Sequence, residues 1–184
     1  MSILVVGSVA YDTVRTPCGE VKEALGGSAT YFAAAASLFA PVRVVAVVGE
    51  DFSTDKLTFL KKRGVDLTGL QTMAGKTFRW TALYSDDMNE RQTLCTELNV
   101  FERFQPRLSE AHVRTPFIFL ANIDPDLQAR ILRQAVASRL VMSNTIHLWI
   151  EEKRATFLST LTGVDVLMIN DSEAKALGNE TNLI

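Results

Sequence analysis

Short apolar runs alternate along the chain with stretches of helical spacing, and that alternation predicts the layout. Ile3, Leu4, Val5 and Val6 form one such run, closed by Gly7 and Ser8. A strand that is apolar at every position is buried on both faces, as in the middle of a parallel sheet. The alanine-rich segment 28–40 follows, carrying Phe32, Leu38 and Phe39, with Ser28 placed to cap its start and Pro41 to stop it. The segment 42–48 is again apolar and β-branched. Leu57 and Leu60 then mark a helix over 53–63, with Gly64 as its stop.

The same rhythm returns in the second half. A buried strand is predicted at 117–121, and a helix opened by Asp124-Pro125 places Leu127, Ile131 and Ala135 on one face. A strand at 140–142, a helix at 152–161, a strand at 164–169 and a helix starting at Asp171 complete the pattern. Five strands with helical crossovers imply an α/β fold, a three-layer, doubly wound parallel sheet covered on both faces.

Two stretches break this pattern. In 77–84 the residues Phe78, Trp80, Ala82 and Tyr84 alternate with Thr77, Arg79, Thr81 and Leu83. The polar turn Asp86-Asp87-Met88-Asn89 leads to a second polar strand over 91–98, so a hairpin is predicted. Residues 13–25 are also too polar for the central sheet. Together these segments predict a small antiparallel layer able to cover a site.

Composition narrows the function classes. The 184 residues are 47% hydrophobic and 22% charged, as in one ordinary globular domain, and no internal repeat or interdomain linker interrupts them. A net charge of -2 supplies no basic surplus for a phosphate backbone, which argues against nucleic acid and for a small-molecule partner. The first ten residues lack the basic leading region of a signal peptide, and no stretch reaches membrane-spanning length. Two cysteines, Cys18 and Cys95, make no disulfide framework, and a reduced cytoplasmic setting is expected.

Candidate chemistry gathers at strand ends, where ligands of open parallel sheets bind. Asp12, shortly after the first strand, suits two adjacent hydroxyls of a polyol or ribose; the alternative is a solvated turn carboxylate. Gly26 and Gly27 let a ligand approach the backbone where a helix begins at Ser28, although such pairs also serve as plain turns. Asn122 either faces the same edge or caps the following helix. Asn170 and Glu173, three apart in a helix's first turn, suit a hydrated magnesium ion near phosphates or, equally, a capping box. Phe78, Trp80 and Tyr84 read as hairpin packing rather than a base-stacking platform. Arg79 reads as reaching a ligand or as solvated, and His112 and His147 as structural or surface residues.

The order of these motifs resembles the PfkB (ribokinase-like) family of carbohydrate and nucleoside kinases along essentially the whole chain. The matching segments are Gly7-Ser8-Val9-Ala10-Tyr11-Asp12, Gly26-Gly27-Ser28-Ala29-Thr30, Val47-Val48-Gly49-Glu50-Asp51-Phe52, Gly64-Val65-Asp66 and Asn170-Asp171-Ser172-Glu173. The resemblance implies a kinase that transfers the γ-phosphate of ATP to a sugar or nucleoside hydroxyl. Asp12, Gly26 and Gly27 would lie on the substrate side, and Asn99 near the lid and the substrate, where it would bind substrate; Ser28 and Asn122 are taken as further substrate-binding candidates from their strand-end positions. Asn170 and Glu173 would belong to the ATP and magnesium side, with Glu173 toward the metal. The lid would comprise about 13–25 and 77–98, and homodimers clasped through such lids are expected.

Departures from the family pattern are Tyr31 and Asn144, where relatives commonly carry Asn and Asp. The Gly-Ala-Gly-Asp motif with the family's catalytic Asp does not occur in the 184 residues, nor does the adjoining adenine pocket. The expectation is therefore the N-terminal part of one ribokinase-like domain, truncated before its catalytic residue and inactive by itself. A non-catalytic binding domain and one chain of a split enzyme are the alternatives.

Overall fold

The computed structural model describes residues 1–86, 88 and 91–182. Six strands, β1 (Ile3–Val6), β4 (Val42–Gly49), β5 (Asp66–Met73), β8 (Phe117–Leu120), β9 (Leu140–Asn144) and β10 (Val166–Met168), form one sheet in the order β10-β9-β8-β1-β4-β5. Every pairing in it is parallel. The apolar first run lies at its middle, with Ile3 facing Val42 on one side and Phe117 on the other.

Because strand side chains alternate between faces, these runs feed two separate cores. Val5, Val44, Ala46 and Phe119 pack with Ala29 and Ala33 of α1 (Ser28–Ala36) and with Leu60 of α2 (Thr58–Lys62). Leu4, Val6, Val45, Ile118 and Leu120 point the other way, toward Ile131 of α4 (Pro125–Gln134) and Trp149 of α5 (His147–Leu161). Leu4, Val5 and Val6 are all fully buried, as a central strand requires. Two further helices are α3 (Glu110–Val113) and α6 (Asp171–Gly178).

The second sheet is β3-β2-β6-β7, formed by β2 (Ala10–Thr16), β3 (Gly19–Gly26), β6 (Arg79–Tyr84) and β7 (Arg91–Glu97). It corrects the antiparallel expectation. The pairs β2/β3 and β6/β7 are antiparallel, but β2 and β6 run parallel, so two hairpins join side by side into a mixed sheet. The predicted turn at 86–89 lies only partly within the described residues, since 87 and 89 fall outside them.

Three further corrections have local causes. The main sheet has six strands rather than five, because β5 is a half-exposed edge strand with no continuous apolar run. Helix α5 begins at His147, earlier than expected, and is divided at Lys153, whose φ of -134° and ψ of 33° are not helical. Lys153 Nζ is held there by Asp124 Oδ2 at 2.7 Å and Asp126 Oδ2 at 2.6 Å. Ser28 is not the cap of α1. Gly27 occupies that position with φ of 94°, and the Ser28 side chain is used elsewhere.

Candidate functional site

A cavity of about 510 Å³ lies between the carboxyl ends of β1, β8 and β9 and the inner face of the second sheet. Its floor is a hydroxyl and amide network. Ser8 Oγ accepts from Ser28 N at 3.1 Å, the two serine hydroxyls are 3.3 Å apart, and Ser28 Oγ accepts from Asn122 N at 2.9 Å. Three strand-end loops are thereby tied at one point, where the parallel sheet leaves backbone groups unpaired.

Asn122 is not a helix cap. Its Oδ1 accepts from the indole Nε1 of Trp149 at 2.7 Å, and Asp124 caps α4 instead by accepting from Asp126 N. This orients the Asn122 side chain, whose amide nitrogen has no partner among the described residues and is left to donate into the cavity. Asn144 also lines the space, and its Oδ1 is buried without a hydrogen-bond partner among the described residues. A buried acceptor in that state calls for a donor from water or a ligand.

Asp12 reaches the same cavity from β2. No described side chain pairs with its carboxyl, and burial alone pushes its pKa up to about 6. A β-carbon at Gly27 would lie 2.3 Å from Ser8 O, so the helix start can press against the first strand's end only without a side chain. Asp12, Gly27, Ser28 and Asn122 are thus brought together. Gly26 does not line the cavity but backs Asp12.

The roof is aromatic and polar. Phe78 stacks on Phe101 at 5.1 Å, and both Phe78 and Trp80 line the cavity. Trp80 Nε1 donates to Thr93 Oγ1 at 3.3 Å, and the Arg91 guanidinium lies 5.6 Å from the ring centroid. The sheet is rooted through Asp51, which accepts from Thr77 N at 2.8 Å and Thr77 Oγ1 at 2.6 Å and pairs with Arg79 at 2.7 Å. Arg79 is therefore a fastening residue of this sheet.

Asn99 stands apart from the cavity. With φ of 52°, a conformation Asn tolerates, it donates from Nδ2 to Thr77 O at 3.0 Å and so stitches the base of the second sheet. Asn170 and Glu173 form a reciprocal capping box: Asn170 Oδ1 accepts from Glu173 N at 2.8 Å, and Glu173 Oε2 accepts from Asn170 N at 3.1 Å. Neither lines the cavity, although their neighbour Ser172 does, with its hydroxyl 3.2 Å from His147 Nε2. His147 therefore belongs to the site and was missed, as were Arg91 and Thr93, because nothing in their local spacing marks them. His112 is structural, its Nδ1 accepting from Ser109 N in a cap.

A family model for pfkB family carbohydrate kinases matches residues 1–183. The chain belongs to the pfkB family. It is 25% identical over 178 residues to a cytidine kinase of Thermococcus kodakarensis, covering 95% of this chain and 63% of that relative's length. Among solved structures, it is similar to the Burkholderia thailandensis nucleoside kinase in complex with inosine, with a TM-score of 0.74 and 15% identity. The match covers 97% of this chain and 64% of that one. The fructokinase with bound ATP from Xylella fastidiosa aligns with a TM-score of 0.72 and 19% identity, over 97% and 64% of the two chains. The ribokinase-like fold read from the sequence is thus the fold observed. No described helix is long and apolar enough to cross a membrane.

Proposed function

We propose that this pfkB-family chain seats a nucleoside or sugar between its two sheets and presents one hydroxyl for phosphorylation by ATP. The observation that carries this reading is the half-buried Asp12 carboxyl, without a side-chain partner among the described residues, which faces a cavity also lined by Asn122, Ser28 and the bare backbone of Gly27. A carboxylate accepting from two vicinal hydroxyls, with an amide donating nearby, is the complement of a ribose or hexose edge. The volume falls within the roughly 300–1,000 Å³ of small-molecule sites. Trp80 favours a nucleoside, since its ring gives a base a surface on which to stack.

On this reading the second sheet is the lid, and Val21, Leu83 and Leu94, exposed on it, offer an apolar surface for a homodimer clasp. The cytoplasm is the proposed setting, and the free thiols of Cys18 and Cys95 fit a reducing compartment. Among the described residues no cluster of three or more His, Cys, Asp or Glu forms a metal cage. Magnesium needs none, since it keeps several waters and leans on substrate phosphates. Glu173, with Oε2 already on Asn170 N, fits an outer contact to such a hydrated ion rather than a direct ligand.

We assign residues 1–184 the binding of the acceptor. A panel of nucleosides and sugars tests the proposal by thermal shift. A bound ligand at a hundred times its Kd stabilises by about 2.7 kcal/mol and raises the melting temperature. A panel in which no nucleoside or sugar shifts the transition overturns it.

A further inference from the structure

Among the described residues lining the cavity, Arg91 alone carries a permanent positive charge. It opens β7, and its guanidinium stands between two neighbours: the Trp80 ring, 5.6 Å away, and Glu173 Oε1, 3.6 Å from its terminal nitrogen. The second contact is loose, since charge-assisted N–H to carboxylate bonds are about 2.7–2.9 Å. The Glu173 side chain is only 6% exposed, with its other oxygen taken by Asn170 N. Among the described residues the guanidinium's donor fork is therefore only partly used, and it faces a cavity whose proposed occupant is converted from a neutral alcohol to a phosphate ester.

We infer that Arg91 leaves Glu173 to grip the phosphate of the phosphorylated product through its guanidinium fork. The inference rests on the nucleoside or sugar reading of the cavity. A planar guanidinium matches two phosphate oxygens at once, and the ester's charge of about -2 outcompetes a single carboxylate oxygen held at a distance. The contact with the Trp80 ring is a cation–π one that consumes none of the guanidinium's N–H donors.

The test compares a nucleoside with its own 5′-monophosphate on the full-length protein, without magnesium or ATP. Cytidine with cytidine 5′-monophosphate, and inosine with inosine 5′-monophosphate, are the probes. Displacement of the bound nucleoside by the monophosphate keeps the readout in this cavity. Arg91→Ala is expected to lower the ratio of monophosphate to nucleoside affinity at least about tenfold, the scale of a charged hydrogen-bonded contact. Arg91→Lys, which keeps charge but not the fork, falls between. Glu173→Gln, which preserves the capping box while removing the competing carboxylate, shifts the ratio the opposite way. Equal losses for both ligands in Arg91→Ala would make Arg91 a mere closing contact and overturn the inference while leaving the cavity reading standing. Failure of every nucleoside and sugar to bind wild-type protein takes down both.

Discussion

A β-carbon placed on Gly26 would lie 2.2 Å from Asp12 Oδ2, so the bare backbone of one residue makes the room for the other's carboxyl group. The two face each other across neighbouring positions of the β2/β3 hairpin, where Asp12 pairs with Ala24 and Ala10 with Gly26. The glycine pair therefore has a divided purpose. Gly26 shapes the acid, while Gly27 turns the chain into α1.

Gly26→Ala is expected to displace the Asp12 side chain and weaken ligand binding at least about tenfold. Its backbone has no positive φ, so the fold tolerates the change better than at the next position. Gly27→Ala combines a φ of 94° with contacts of 2.3 Å to Ser8 O and 2.8 Å to Val9 Cα. It should cost about 2 kcal/mol or more in urea denaturation. Equal stability losses at the two positions would contradict this division.

Asp12 also predicts a pH dependence. Its folded pKa, raised from 3.8 to about 6, means the native state holds this proton more tightly than the unfolded chain. The stability it contributes is fully present below about pH 4 and is lost as pH rises through about 6, a loss of roughly 2–3 kcal/mol. Asp12→Asn should therefore be more stable than wild type at pH 7, with the gain vanishing near pH 4. Wild-type ligand affinity should rise through the same window, as the carboxylate that accepts the hydroxyls forms. A stability difference that does not change with pH would refute the burial argument.

Much of this architecture was legible from the chain. The apolar runs of β1, of β4 beyond Arg43 and of β8 announce central parallel strands, because only burial on both faces removes polar residues from alternate positions. The edge strand β5 escaped because Thr68, Gly69, Gln71 and Thr72 interrupt its apolar positions. The parallel β2/β6 junction lies between segments far apart in sequence, and local periodicity carries no record of which hairpins meet. Asp12 and Gly27 were visible as strand-end residues. Asn122 was found for a weaker reason, since its partner Trp149 comes from a helix 27 positions away. Arg91 and His147 enter the site only through the packing of separate elements.

Asp51 should act as the root of the second sheet. Burial raises its carboxyl pKa, but hydrogen bonds from Thr77 and Arg79 outweigh that and hold it below the ordinary range. Its contribution is thus present at neutral pH and is lost as pH falls through the lowered folded value. Asp51→Ala leaves Thr77 N, on a fully buried residue, without this partner. The expected cost is about 1–3 kcal/mol, with faster amide exchange in β6 and β7 than in β1. Unchanged exchange in β6 and β7 would show that the sheet is held elsewhere.

Trp80→Leu separates nucleosides from sugars. Loss of a stacked base costs about 1–3 kcal/mol, so nucleoside affinity should fall roughly tenfold and fall further than that of free ribose. Parallel losses for both ligands would assign Trp80 to packing alone.

In the proposed function Asp12 receives the hydroxyls of a small-molecule acceptor between the two sheets. Isothermal titration of a nucleoside into wild type and Asp12→Ala, side by side at pH 7.5, tests it most directly. Saturable one-site binding to wild type is expected, with an affinity at least about a hundredfold weaker in the still-folded variant, since two charged hydrogen bonds are lost. Equal affinities would contradict it.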